Sequence, residues 1–173
     1  KEEEKEKKPF KDHLWYGAGV GLGFSGYGGQ SAFGIGVSPM VGYKVIDRWL
    51  SVGPRASVFF TSQKFPGYKS TGMVDTELGA FARLHAFRGF FIQGEMGYGW
   101  DQEIDEFGDF TGTKLPKKTT SALNPYVGIG YNFGQGLGGP GQEISLMYNF
   151  RIANDVNTYD QPVQYRIAFT FGF

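Results

Sequence analysis

From Leu14 onward the chain alternates apolar residues with small or polar ones at a period of two, in runs longer than most strands. In the last run Val163, Tyr165, Ile167, Phe169, Phe171 and Phe173 fall on one side, and Gln164, Arg166, Ala168, Thr170 and Gly172 on the other. Successive strand residues point to opposite faces, so this pattern describes a sheet with one apolar and one mixed face. The run before it sets Ile144, Leu146, Tyr148, Phe150 and Ile152 against Glu143, Ser145, Met147, Asn149 and Arg151. Another sets Leu123, Pro125, Val127, Ile129, Tyr131 and Phe133 against Asn124, Tyr126, Gly128, Gly130 and Asn132.

Earlier runs keep the rule with more glycine: Leu14–Phe24, Phe33–Tyr43, Leu50–Ser62, Val74–Ala86 and Phe90–Asp101. Eight strands of about 10–13 residues are predicted, against a usual ~5–6. Strands that cross a bilayer at a tilt need ~9–11 residues. Composition agrees: 28 glycines and 17% aromatics among 173 residues exclude a disordered chain and a helical bundle. No cysteine is present, which excludes a disulfide scaffold and thiolate metal sites. Seventeen acidic residues balance seventeen basic ones, so no global field favours nucleic acid.

Residues 1–13 read as a charged tail, Lys and Glu alternating over Lys1–Lys8, ahead of a barrel over 14–173. The tail lacks the apolar stretch of a secretory signal, and the chain does not begin with Met, as expected of a processed, exported protein or equally of a trimmed chain. Connections after the second and fourth strands are tight, around Ile46-Asp47 and Arg88-Gly89, and that after the sixth is the Gly-rich Gly134–Gly141. The others, Ser25–Ser31, Gln63–Gly72, Gln102–Thr119 and Asn154–Gln161, are longer and polar. Short turns on one rim and long loops on the other predict an all-β, closed, up-and-down antiparallel eight-stranded transmembrane barrel, with both termini on the short-turn rim.

A soluble barrel with an apolar interior also alternates, and the polar set decides between the two. It is mostly Gly, Ala, Ser and Asn with scattered Arg and Glu, a poor coat against water. It suits the interior of an eight-stranded barrel, which is only wide enough for side chains. The apolar face is therefore assigned to lipid. Aromatics sit at both ends of that face, Tyr16, Tyr43, Phe90, Tyr131, Phe133, Phe171 and Phe173 towards the short turns and Phe24, Phe33, Phe60, Tyr98, Trp100 and Phe150 towards the loops, as interfacial girdles.

Over Leu14–Phe173 the chain resembles the small outer-membrane barrel proteins of the OmpA/OmpX-like (porin-family) superfamily. The resemblance is carried by the ending Tyr165-Arg166-Ile167-Ala168-Phe169-Thr170-Phe171-Gly172-Phe173 and by the segments YGAGVGLGFSG and NPYVGIGYNFG. Its lysine-rich, aromatic flavour is similar to porin-family proteins of the Bacteroidota. The resemblance implies a bacterial outer-membrane location with periplasmic termini, and an assembly signal in Phe169, Phe171 and Phe173 read by the barrel-assembly machinery.

By parity, Lys44, Arg55, Arg83, Arg151 and Arg166 point inward with Asp75, Glu77, Glu95, Asp101 and Glu143. Unpaired buried charge is costly, so an interior ion network is predicted, with Arg55, Glu77, Arg83 and Glu95 at its centre. Most simply this is a polar plug; the alternative is a narrow ion path. Of two histidines, His13 lies in the tail and His85 points inward without a convergent nucleophile, so it reads as a satisfied interior histidine and the protein as a non-enzyme. Glu103, Asp105, Glu106 and Asp109 lack the spacing of a calcium loop and form a solvated acidic hairpin facing headgroups. No cofactor or metal is implied. On the apolar face Pro39, Pro54, Ala56, Ala80 and Ala82 make a strip of small residues and prolines, a candidate docking wall for a partner in a larger outer-membrane complex. Outer-membrane lipids are the other expected partners, and the function expected is that of a structural or accessory subunit, with a narrow-pore porin as the alternative and an outer-membrane enzyme as a distant third.

Overall fold

The computed structural model describes residues 10–27, 29–46, 49–105, 108, 114–134, 140–154 and 162–172. They form one closed antiparallel barrel in which each strand pairs with the next and the last with the first. The strands are β1 (Leu14–Tyr27), β2 (Gln30–Ile46), β3 (Leu50–Lys64), β4 (Thr71–His85), β5 (Phe90–Ile104), β6 (Lys117–Asn132), β7 (Gly141–Asn149) and β8 (Val163–Gly172). Closure leaves no strand without neighbours on both sides, and Trp15↔Gly172 through Val20↔Ile167 make the seam. The start of β1 and the end of β8 share one rim with the turn at 86–89; we call it the lower rim. No helix among the described residues is long and apolar enough to cross a membrane.

The alternation sorts side chains as expected. Leu78, Ile129, Leu123 and Ile167 are more than half exposed on the wall, while Phe81, Arg83, Asn124 and Thr170 are buried on the lumen side of the same strands. Aromatic pairs stand at both ends of the wall: Phe90–Tyr131 and Tyr131–Phe133 below, Tyr98–Trp100 and Tyr148–Phe150 above, with centroids 4.7–5.2 Å apart. The glycines of β1 and β2 have a specific purpose. Phe59 of β3 lies across Gly21, Gly34 and Gly36, and the Trp15 indole lies on Gly42, so a Cβ at Gly36 or Gly42 would collide with a ring. Trp15, Met40 and Phe81 form an apolar knot inside the lower half.

Three local expectations change. The first upper connection is shorter than Ser25–Ser31, because β1 and β2 stay paired up to Tyr27↔Gln30 instead of opening at Ser25. The run through Phe150 and Ile152 does not stay extended: β7 stops at Asn149 and residues Phe150–Asn154 form a short helix, α1. The Asn149 side-chain oxygen accepts the backbone N–H of Arg151 at 2.9 Å and of Ile152 at 3.2 Å, an N-cap that outweighs the period-two pattern. Consequently β6 has β5 beside it from Lys117 onward but β7 only from Tyr126. Phe10–His13 also fold, as a 3-10 turn whose Phe10 ring stacks on Tyr43, with centroids 5.4 Å apart.

At the lower rim, Arg88 and Gly89 both take positive φ (47° and 89°), and Phe90 N–H donates to the Phe87 carbonyl at 2.9 Å. Two consecutive left-handed residues make the hairpin turn whose twist matches its strands. Phe169 and Phe171 lie exposed on the wall of β8; Phe173 lies outside the described residues.

Candidate functional site

The lumen holds the charges that parity placed there. At its lower end the Arg83 guanidinium makes a two-pronged bond to Glu143, Nη1 to Oε2 at 2.8 Å and Nη2 to Oε1 at 2.9 Å. β4 and β7 are not neighbours, so this pair spans the bore. Its cation is clamped between rings, 4.0 Å from the Phe91 centroid and 4.7 Å from that of Trp15. Glu143 also accepts from Asn132, which in turn donates to Thr170 at 3.0 Å.

Mid-lumen, Glu95 is the hub. Arg166 Nη1 reaches its two oxygens at 2.7 and 2.9 Å, and Arg55 Nη1 lies 2.7 Å from Oε2. Arg55 also pairs with Glu77 at 2.5 Å. Glu77 accepts from Asn124 at 2.8 Å and from the Tyr126 hydroxyl at 3.1 Å. Both arginines lie over the Tyr126 ring, at 5.7 and 5.2 Å. At the upper end Asn124 accepts from Arg151 Nε at 2.5 Å, and Arg151 meets Asp101 at 3.4 Å.

Gln93 joins the lower and central clusters, accepting from Arg83 Nε at 2.6 Å and donating to Glu95 at 2.5 Å. One hydrogen-bonded chain therefore runs from Thr170 at the lower rim to Asp101 near the upper mouth. Arg55, Arg83, Arg151 and Arg166 balance Glu77, Glu95, Glu143 and Asp101 within it. This arrangement satisfies the requirement that buried charges be paired and hydrogen-bonded. It shares the bore with Phe59, Trp15 and Met40.

All seven predicted network residues join this chain, although Arg83 pairs with Glu143 and reaches the predicted centre only through Gln93. Arg151 arrives from α1, not from a strand. The neutral links Gln93, Asn124, Tyr126 and Asn132 were not singled out in the sequence; their inward parity was the available signal. Asp75 instead takes the backbone N–H of Gln102 at 2.9 Å, and Lys44 is half-buried outside the chain, its carbonyl 3.2 Å from His13 Nδ1.

His85 is buried as expected but is not satisfied: neither ring nitrogen has a hydrogen-bond partner among the described residues, and its nearest ring is Phe91 at 6.3 Å. In the acidic connection Glu103 extends β5 and receives the Thr120 hydroxyl at 3.4 Å, while Glu106 and Asp109 lie outside the described residues. No cluster of three or more metal-ligating side chains occurs among the described residues.

The wall strip also assembles. Ala18 pairs with Pro39, Pro54 with Ala80 and Val52 with Ala82, and Ala82 sits beside Gly94, where a Cβ would meet open space. Ladder pairing between β2 and β3 skips from Val37↔Val58 to Met40↔Arg55, at Pro39 and Ala56. A proline there removes a ladder donor. No protein-family model and no curated protein matches the chain.

Proposed function

We propose that this protein is a non-enzymatic outer-membrane barrel with a closed, polar interior, serving as a structural or accessory subunit through its loops, its tail or its wall. One observation carries the reading: a charge-balanced, continuous side-chain network fills the lumen, while the outward face of the same strands is apolar and edged by aromatic pairs at both ends. A barrel whose luminal arginines and carboxylates are paired with one another and whose mid-wall is apolar is suited to hydrocarbon outside and impermeability inside. On this reading the lower rim is periplasmic, Phe169 and Phe171 belong to the signal used by the barrel-assembly machinery, and the strip of Pro39, Pro54, Ala56, Ala80 and Ala82 offers a flat contact to a neighbour in a larger complex. The partners are lipids and protein, with no role for nucleic acid.

The test is conductance of the purified barrel in planar bilayers. A barrel that inserts, as judged by flotation with vesicles, yet gives no unitary current steps supports the closed reading. Reproducible steps would replace it with a narrow pore along the arginine–glutamate chain.

A further inference from the structure

The wall carries a second charge pattern, the converse of the lumen. Among the described strand residues, outward-facing positions carry just two charges, Lys64 on β3 and Lys117 on β6. Both are lysines, both are exposed, and both lie at the upper ends of their strands. The carboxylates nearby, Asp75, Asp101 and Glu103, occupy lumen-side positions, and inward Lys118 stands opposite Glu103. At the upper rim the strand carboxylates thus lie within, and the outward charges are both cations.

Both lysines lie near Gly72 of β4. The β4–β5 ladder ends at Thr76↔Trp100, and side chains stitch the gap above it: the Val74 N–H donates to Gln102 Oε1 at 3.0 Å. Lys117 reaches over β5 into this gap, its Nζ donating to the Gly72 carbonyl at 2.9 Å with Gln102 Oε1 at 3.5 Å. Lys64 lies two residues beyond Ser62, the partner of Gly72, a diagonal neighbour at about 7–8 Å between Cα atoms. Neutral oxygens orient the Lys117 ammonium, and no ion pair to either lysine occurs among the described residues. Beneath lie Phe60, whose ring covers Gly72, and Trp100, with hydroxyls of Ser62 and Ser70 alongside.

We propose that this patch binds the phosphate of a lipid headgroup in the leaflet around the upper rim. The lysines hold the anion, and acyl chains lie on Phe60, Val74 and Trp100. The proposal rests on the membrane reading above. A lysine beside an aromatic girdle places its charge at headgroup depth, where a phosphate is the anion that hydrocarbon packing brings to it.

Native mass spectrometry of the detergent-solubilised barrel, titrated with phosphatidic acid, phosphatidylcholine or inorganic phosphate, tests it. Wild type should retain phosphatidic acid in preference to phosphatidylcholine, and Lys64→Gln and Lys117→Gln should each weaken that retention about five-fold. Lys117→Arg keeps the charge and should keep the lipid. Lys64→Gln removes no hydrogen bond named above, so it keeps the test open if Lys117→Gln misfolds. Equal retention of the two lipids, or no loss in the Lys64→Gln barrel, overturns the proposal, as does inorganic phosphate displacing the lipid at equal concentration. Flotation with phosphatidylcholine vesicles is scored separately: a barrel that floats but shows no lipid preference loses this site alone, whereas one that does not float loses the membrane reading too.

Discussion

The two ends of the luminal network are built from the same chemistry and differ in surroundings. Below, Arg83 and Glu143 meet in two parallel hydrogen bonds with both side chains only 3% exposed, between the rings of Trp15 and Phe91. Above, Arg151 and Asp101 meet at 3.4 Å with side chains 34% and 27% exposed. A desolvated pair is held by geometry that has to be complete, because a lone buried charge costs several kcal/mol. A pair in contact with water has its charges hydrated when the pair breaks, so its net worth is small. Depth along one network therefore converts an essential contact into a dispensable one.

Removing the lower anion gives the largest expected effect. Glu143→Gln leaves the Arg83 guanidinium buried without a counter-charge, and a loss of about 3–5 kcal/mol is expected. Urea titration of the barrel in detergent, followed by the gel shift between folded and unfolded forms, measures it. Replacing both partners by apolar side chains, Arg83→Met with Glu143→Leu, should return stability to within about 1 kcal/mol of wild type, since the desolvation cost disappears with the charges. A double variant as unstable as the single one would show that the pair contributes through packing and not through charge, and the contrast between the two ends would fail.

The upper end also depends on how Arg151 is presented. Asn149→Ala removes the acceptor for two N–H groups of α1 and should cost about 1 kcal/mol in the same titration. It should also loosen the Arg151–Asn124 contact, since that guanidinium projects from the first turn of α1. A loss below about 0.3 kcal/mol would mean that the turn at Asn149 is held by the barrel and not by its cap.

The difference between the ends was legible in the sequence only as a list of inward charges. Parity placed Arg83 and Glu143 in the lumen, but a chain that reads as eight alternating segments does not say which arginine reaches which carboxylate. That choice follows from strand tilt and stagger, which set residues of β4 and β7 facing each other across the bore. The long alternating runs were enough for the barrel itself. They misled at Phe150-Arg151-Ile152, where apolar spacing continues yet one asparagine turns the backbone. The neutral links escaped attention for a related reason: Gln93 and Asn132 look like ordinary lining until their neighbours are charged. The glycines of β1 and β2 stand in the sequence simply as small lining; which rings use the space, Phe59 from β3 and Trp15 from β1 itself, depends on strand placement across the bore.

The smallest expected effect completes the contrast. Asp101→Asn removes the upper carboxylate while leaving Arg151 its hydrogen bond to Asn124 Oδ1. With about a third of each side chain in water, the pair is worth about 0–1 kcal/mol, and salt should screen what remains. Titrations of wild type and Asp101→Asn at low and high ionic strength are expected to differ slightly at low salt and to converge at high salt. Glu143→Gln should show its full loss at both, because ions do not reach a guanidinium enclosed by Trp15 and Phe91. If instead Asp101→Asn cost as much as Glu143→Gln and kept that cost in high salt, the upper mouth would be as dry as the lower bore, and depth could not be what separates the two pairs.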